Sequence, residues 1–317
     1  MVAYCQRGRF DLRHRRRLAS VHGAYRTARA SETTSAPSDF DPRTGIVTFS
    51  DGKQIRTTLL VDASGAQSIW RQRAGISCMH HDYKCAALTA EIALTAPHGQ
   101  VARQVFLPDG PLALLPLPKP DRAALIWSLP ARKAQALAAC DKNLFNGELN
   151  AAARSVFGQL HLVGARAQQP LKAQIAEAFI GPRLALVGEA AHVIHPLAGQ
   201  GMNLTLRDIG ALVDTLKNAR RLGLECGDAT MLENYAGLRR ADAFAGAFGT
   251  HALAEIFSGP VPARMLAVAG MRGVGYIADN WPRLKDAFRR QADQGLGPLS
   301  GLFASAPPNA PDAKKGR

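Results

Sequence analysis

A chain of 317 residues, 47% of them hydrophobic, is long enough to bury one large core or two smaller ones. Its five cysteines (Cys5, Cys78, Cys85, Cys140, Cys226) are odd in number and form no C-x-x-C pair, which argues against a disulfide framework and fits a reducing compartment. The net charge of +14 is uneven, with eight Arg against one acid in the first 30 residues, and no apolar run approaches the ~18 residues a membrane helix needs.

Residues 1–43 show neither helical nor strand periodicity. Arg13 to Arg17, interrupted only by His14, then Arg26 and Arg29, lead into a Ser/Thr/Ala/Pro stretch ending near Ser38. Such a run is open to three readings: nucleic-acid or membrane contact, an organelle transit peptide, or a basic disordered arm. The arm is the reading adopted, with no nucleic-acid partner. From Gly45 the pattern becomes regular. Ile46–Phe49 and Ile55–Val61, joined through Asp51-Gly52, predict a hairpin. It runs into Asp62-Ala-Ser-Gly65-Ala-Gln-Ser68-Ile-Trp-Arg71, a strand end followed by a helix start.

Short apolar segments at 86–94, 101–107, 112–117 and 123–129, separated by turn signals, predict an antiparallel sheet, and two helical patterns follow near 131–140 and 144–158. The Cys78-x-His80-His81-x-x-x-Cys85 cluster has the spacing of no common zinc site, so no metal ligand is assigned.

The most informative stretch runs from Arg183 to Leu216. Leu184 to Val187 reads as a short buried strand, Gly188-Glu189 ends it, and Pro196 to Gly201 is a glycine-bearing turn. A helix then starts, with Met202, Leu206, Ile209, Val213 and Leu216 along one face. A strand, a carboxylate, a glycine loop and a helix N-terminus together suit an electron-rich ligand, because free N–H groups and the positive end of the helix dipole meet there. Gly201 is expected to need close approach or a positive φ. Beyond Leu216 the chain looks helical, through Leu232, Tyr235, Leu238, Phe244 and Phe248, up to Gly259-Pro260. Residues 264–291 mix apolar and basic positions, which suits either an anionic membrane surface or core packing. Residues 298–317 are Pro/Ala/Lys-rich and expected to be disordered.

The run Gly188, Ala190, Ala191, His192, Pro196, Gly199, Gln200, Gly201, Asn203, Arg207, Asp208 resembles the second FAD-binding motif of the flavoprotein aromatic hydroxylases, in the branch that hydroxylates ubiquinone precursors. Glu189 stands where that motif has Asp, and Thr205 where Gly is common. Ala63, Gly65, Ser68 and Arg71 resemble the family's middle motif, although Ser64 replaces an Asp there. The resemblance implies an α/β chain, mixed α+β, of the para-hydroxybenzoate-hydroxylase-like fold. It would comprise a partial Rossmann-like FAD-binding domain (44–77 and 181–216), an inserted antiparallel-sheet substrate domain (78–180) and a helical C-terminal region (217–297).

By the same resemblance Gly188, Glu189, Pro196, Gly199, Gln200, Gly201, Met202 and Asn203, with Ser68 and Arg71, would bind FAD. NAD(P)H is the implied co-substrate and a polyprenylated phenol the implied substrate; no catalytic acid or base is assigned. No G-x-G-x-x-G precedes residue 39, so the chain is expected to be truncated relative to the family. Its three readings are a flavin monooxygenase, an inactive remnant of one, or a non-catalytic membrane-associated partner in a ubiquinone-biosynthesis assembly. The expected location is cytoplasmic, with peripheral attachment at the inner face of a membrane.

Overall fold

The computed structural model describes residues 2–4, 35–153, 157–195 and 201–258, with side chains over 35–153, 157–195 and 201–251. In chain order the elements are β1 (Val2–Tyr4), β2 (Pro37–Asp41), β3 (Ile46–Phe49), β4 (Gln54–Arg56), β5 (Leu60–Asp62), α1 (Ile69–Arg73), β6 (Cys78–Leu94), β7 (Arg103–Leu107), β8 (Gly110–Pro116) and β9 (Arg122–Pro130). They continue as α2 (Ala131–Ala139), α3 (Lys142–Ala153), β10 (Leu160–Ala176), β11 (Ile180–Gly181), β12 (Leu184–Leu186), β13 (His192–Val193), α4 (Gly201–Arg221) and α5 (Ala229–Ser258). Strands and helices are mixed, and the chain divides into two compact units.

The first unit is built on Asp82–Lys172. Its antiparallel sheet follows from alternation: Leu112 and Leu114 on β8, and Ala123, Leu125, Trp127 and Leu129 on β9, point to one face. Register brings like to like, with Trp127 opposite both Leu88 and Leu112, and Leu129 opposite Ala86. Helices α2 and α3 cover that face with Ala134, Leu137, Phe145, Leu149 and Ala153. Two asparagines dock α3 to the start of β10: Asn150 Oδ1 accepts from the Leu160 amide at 2.8 Å, and Asn146 Oδ1 from the Leu162 amide at 2.8 Å. Arg166 closes the end of α2 by donating to the Leu137 carbonyl at 2.7 Å.

The second unit joins Pro37–His81 to Ala173–Leu253. Strands β5 and β12 run parallel, pairing Leu60 with Leu184 and Asp62 with Leu186, and β11 lies antiparallel on the other side of β12. Around them Trp70, Phe179, Leu184 to Val187, Leu212, Leu232 and Tyr235 form a core. The Tyr235 hydroxyl donates to the Leu186 carbonyl at 2.6 Å, fixing α5 to the central strand.

Four expectations need correction. The predicted strand Ile55–Val61 is two strands: Thr57 Oγ1 bonds the Leu59 carbonyl at 2.8 Å, and this local turn sends β5 away from the β3–β4 hairpin to β12. Pro37–Asp41, expected within the disordered arm, is a strand paired with β3; its Pro, Ser and Asp carry no strand signal, and the partner is supplied by the hairpin. The seventeen-residue β10 was not expected, because Gly164 and Pro170 interrupt its pattern. On α4 the buried positions are Leu204, Asp208, Leu212, Thr215 and Ala219, a face offset from the expected one, while Met202 is 68% exposed. The segment 264–291 and the tail 298–317 lie outside the described residues, and so does 5–34 of the arm. Among the described residues no helix is long and apolar enough to cross a membrane.

Candidate functional site

The parallel pair β5 and β12 ends in two turns that face one another. After β12 the backbone turns sharply at Gly188, whose φ is +64°. The Ala191 amide closes a short 3-10 turn on the Gly188 carbonyl at 2.9 Å. A Cβ at Gly188 would lie 3.0 Å from Thr205 Cγ2 and 3.1 Å from Thr205 Oγ1, so glycine is needed both for conformation and for space. After β5 the Asp62 carboxylate organises its own turn, accepting from the Ser64 amide at 3.0 Å, from Ser64 Oγ at 2.6 Å and from Ser68 Oγ. Ser68 in turn caps α1 by accepting from the Arg71 amide at 2.9 Å.

Arg71 locks these turns together. Its buried guanidinium donates to the Ala190 carbonyl at 2.7 Å and to the Ala66 carbonyl at 2.8 Å. Gln174 adds a bond to Ala66 at 3.1 Å. Between the turns and the start of α4 lies a cleft of about 310 Å³, lined by Ala63, Gly65, Val187, Gly188, Glu189, His192, Val193, Ile194, Gly201, Met202 and Thr205. Its walls are mostly apolar. Glu189 is exposed at its edge, and Gly201 and Met202, in the first turn of α4, border it at the positive end of the helix dipole.

Behind the turn, the fully buried Asp208 carboxylate accepts from the Gly188 amide at 2.9 Å, His192 Nε2 at 2.7 Å and Arg239 Nε at 2.7 Å. Burial works against the Arg239 charge, but Asp208 and Asp242 outweigh it and hold the guanidinium's pKa above its ordinary value. Burial, helped by the Asp208 charge, pushes the Tyr235 hydroxyl well above its ordinary range, so it stays a neutral donor. His195, also buried, is depressed to about 4 by burial and then by the nearby His251.

The structure brings Gly188, Glu189, Gly201 and Met202 to the cleft, with Asn203 half-buried in the same first turn of α4. Ser68 and Arg71 hold the turns beneath it through the bonds just given. Pro196, Gly199 and Gln200 lie outside the described residues. Gly201 does not have the expected positive φ, and a Cβ there would meet nothing within 4 Å among the described residues. Sequence reasoning did not place Val187, Val193, Ile194 and Thr205 in the cleft; Val187 read as strand interior, Val193 and Ile194 were given no role, and only the turn geometry brings them to it. Among the described residues no group of three or more His, Cys, Asp or Glu could hold a metal ion.

A strand, a tight glycine turn and a helix N-terminus around an apolar cleft define a cofactor-binding α/β unit, and the antiparallel sheet with its two helices forms the other unit. The chain belongs to the FAD binding domain family, whose model matches residues 12–244. It is 37% identical over 245 residues to ubiquinone hydroxylase UbiL of Rhodospirillum rubrum, a match covering 77% of this chain and 56% of the relative. It is also 37% identical over 232 residues to 3-demethoxyubiquinol 3-hydroxylase of Escherichia coli, covering 72% and 56%. The chain thus spans about half the length of these curated relatives. Among solved structures, anhydrotetracycline hydroxylase OxyS of Streptomyces rimosus matches with a TM-score of 0.60 at 23% identity, over 87% of this chain and 55% of that one. HpxO of Klebsiella pneumoniae, complexed with FAD and uric acid, matches with a TM-score of 0.61 at 16% identity, over 83% and 70%. Both likenesses concern the fold.

Proposed function

We propose that this chain carries the flavin-ring end of an FAD-dependent monooxygenase that hydroxylates an aromatic, polyprenylated intermediate of ubiquinone biosynthesis. The balanced reaction takes NAD(P)H, a proton, O₂ and an aromatic C–H to NAD(P)⁺, water and an aromatic C–OH. The names of the two curated relatives support the substrate class. The observation that carries the cofactor assignment is the apolar cleft bordered by the Gly188 turn and by Gly201 and Met202 at the start of a helix, beside an exposed carboxylate.

The residues present fit the ring and ribityl portion of FAD. Ala63, Val187, Ile194 and Met202 offer apolar surface to a flat ring, and Glu189 offers an acceptor to a ribityl hydroxyl. The first-turn amides of α4, in a helix of 21 residues, stabilise negative charge by about 0.3–2 kcal/mol through the dipole before direct hydrogen bonds are counted. When bound, FAD supplies the redox chemistry with O₂. The chain's part is to orient the ring, exclude water with the apolar walls and place donors where the reduced ring is negative.

Gly201→Val separates cofactor from fold. The added side chain meets no described residue, and Val suits a helix start at least as well as Gly, so urea and thermal unfolding should be unchanged. Flavin binding, followed by fluorescence quenching of FAD and of FMN, should be lost. A wild-type chain that takes up neither flavin, or a Val variant that binds as tightly as wild type, would overturn the reading.

A further inference from the structure

A chain of buried charges connects the cleft turn to a helix that does not line the cleft. One oxygen of Asp208, Oδ2, accepts from both the Gly188 amide and His192 Nε2, so a single atom holds the two ends of the turn. The other oxygen accepts from Arg239 Nε on α5, 31 residues further along. Arg239 Nη1 also donates to Asp242 Oδ2 at 2.7 Å. Arg207 Nε lies 2.9 Å from that same Asp242 oxygen, an ion pair whose angle is not that of a hydrogen bond. His192, Asp208, Arg239 and Asp242 are all buried.

Two carboxylates and two guanidiniums cancel, so the network is neutral when His192 is neutral. A carboxylate can only accept, which puts the imidazole proton on Nε2. The planar fork of an arginine is what lets one side chain hold two acids at fixed separation; a lysine ammonium reaches one at a time.

We propose, resting on the flavin reading of the cleft, that Arg239 is a positioning residue for the cofactor site. By fixing Asp208 it sets where the Gly188 amide and the His192 ring stand, and so sets the shape of the wall against the cofactor. Without Arg239 the Asp208 charge is buried and unmatched. The carboxylate then shifts from the turn.

The test uses the full chain labelled with ¹⁵N and read by NMR, with flavin affinity measured alongside. In wild type, the His192 Nε2 proton and the Gly188 amide should both be shifted downfield by the carboxylate oxygen they share. In Arg239→Gln the His192 Nε2 proton and the Gly188 amide should both move upfield as their acceptor shifts, and flavin affinity should fall at least tenfold. Arg239→Lys, which keeps the charge but loses the fork, should leave both signals part-way displaced and the affinity intermediate. The neighbouring Arg240→Gln, whose side chain is exposed over Phe244, should change nothing.

Unchanged His192 and Gly188 signals in Arg239→Gln would overturn the proposal. Should that variant not fold, a Lys variant matching wild type in both the Gly188 amide and flavin affinity would overturn it equally. If wild type binds no flavin, the cofactor reading falls, but the two NMR signals still decide whether Arg239 holds the turn.

Discussion

Gly188→Ala tests whether the cleft turn is built as described. At φ +64° a non-glycine residue costs about 1–2 kcal/mol. The new Cβ would also sit 3.0 Å from Thr205 Cγ2 and 3.1 Å from Thr205 Oγ1. Thr205 yields at a cost, because its hydroxyl is bonded to the Gly201 carbonyl at 3.1 Å and turning it away costs roughly 1 kcal/mol. Together the substitution should cost about 2–3 kcal/mol. Thr205→Ala alone should be near neutral, since the lost hydrogen bond is offset by about 0.5 kcal/mol of helix propensity. In the double variant the clash is gone and only the backbone penalty stays, so the two changes should couple by about 1 kcal/mol. Urea unfolding of the four proteins gives the cycle, read as shifts in midpoint at constant slope. A Gly188→Ala variant within about 0.5 kcal/mol of wild type, or additive effects in the cycle, would refute the reasoning.

Tyr235→Phe should cost about 1–2 kcal/mol, because the Leu186 carbonyl loses a buried donor while the ring still fills its place; thermal melts would show it, and an unchanged melt would count against that bond. The pH dependence follows from His195. Its folded pKa, about 4, lies below the ordinary value of 6.5, so its contribution is intact above 6.5 and is lost as pH falls through the window from 6.5 to 4, where the unfolded chain takes a proton the folded chain refuses. By pH 5, above most carboxylate titration, that is at most about 2 kcal/mol, and His195→Gln should flatten the urea midpoint between pH 6.5 and 5. A variant with the wild-type slope would show that His195 is not the group responsible.

What could be read from the sequence was local. The strand at Leu184–Leu186, the turn at Gly188 and the helix from Gly201 each announce themselves within a few residues, by an apolar run, by glycines and by spacing. The buried face of α4 did not, because an apolar rule passes over Asp208, which is inside only because Arg239 and His192 meet it there. Arg71 shows the same limit. Resemblance suggests an anion partner for its guanidinium, yet two carbonyls lie in reach only once Ala66 and Ala190 are folded beside it. Strand β2 was invisible for a related reason, since a Pro-Ser-Asp segment becomes a strand only when β3 offers an edge.

The bond from Arg71 to Ala190 spans 119 residues, and nearly all of the other unit is made in between. At about 5–20 residues per second, the two halves of the cleft leave a ribosome roughly 6–24 s apart. During that interval β5 has no partner for its parallel edge, while Asp82–Lys172 is already continuous and can fold. Folding it sets β6 beside β10 and brings its own ends together, near enough that the Lys172 charge is felt at Asp82. Closing a loop of about thirty residues rather than more than a hundred lowers the entropic cost by roughly 1 kcal/mol. The inserted sheet therefore acts as a timer and a splint for the cleft, and a lesion in its core, at Trp127 or Phe145, should delay the assembly of a site that neither residue lines.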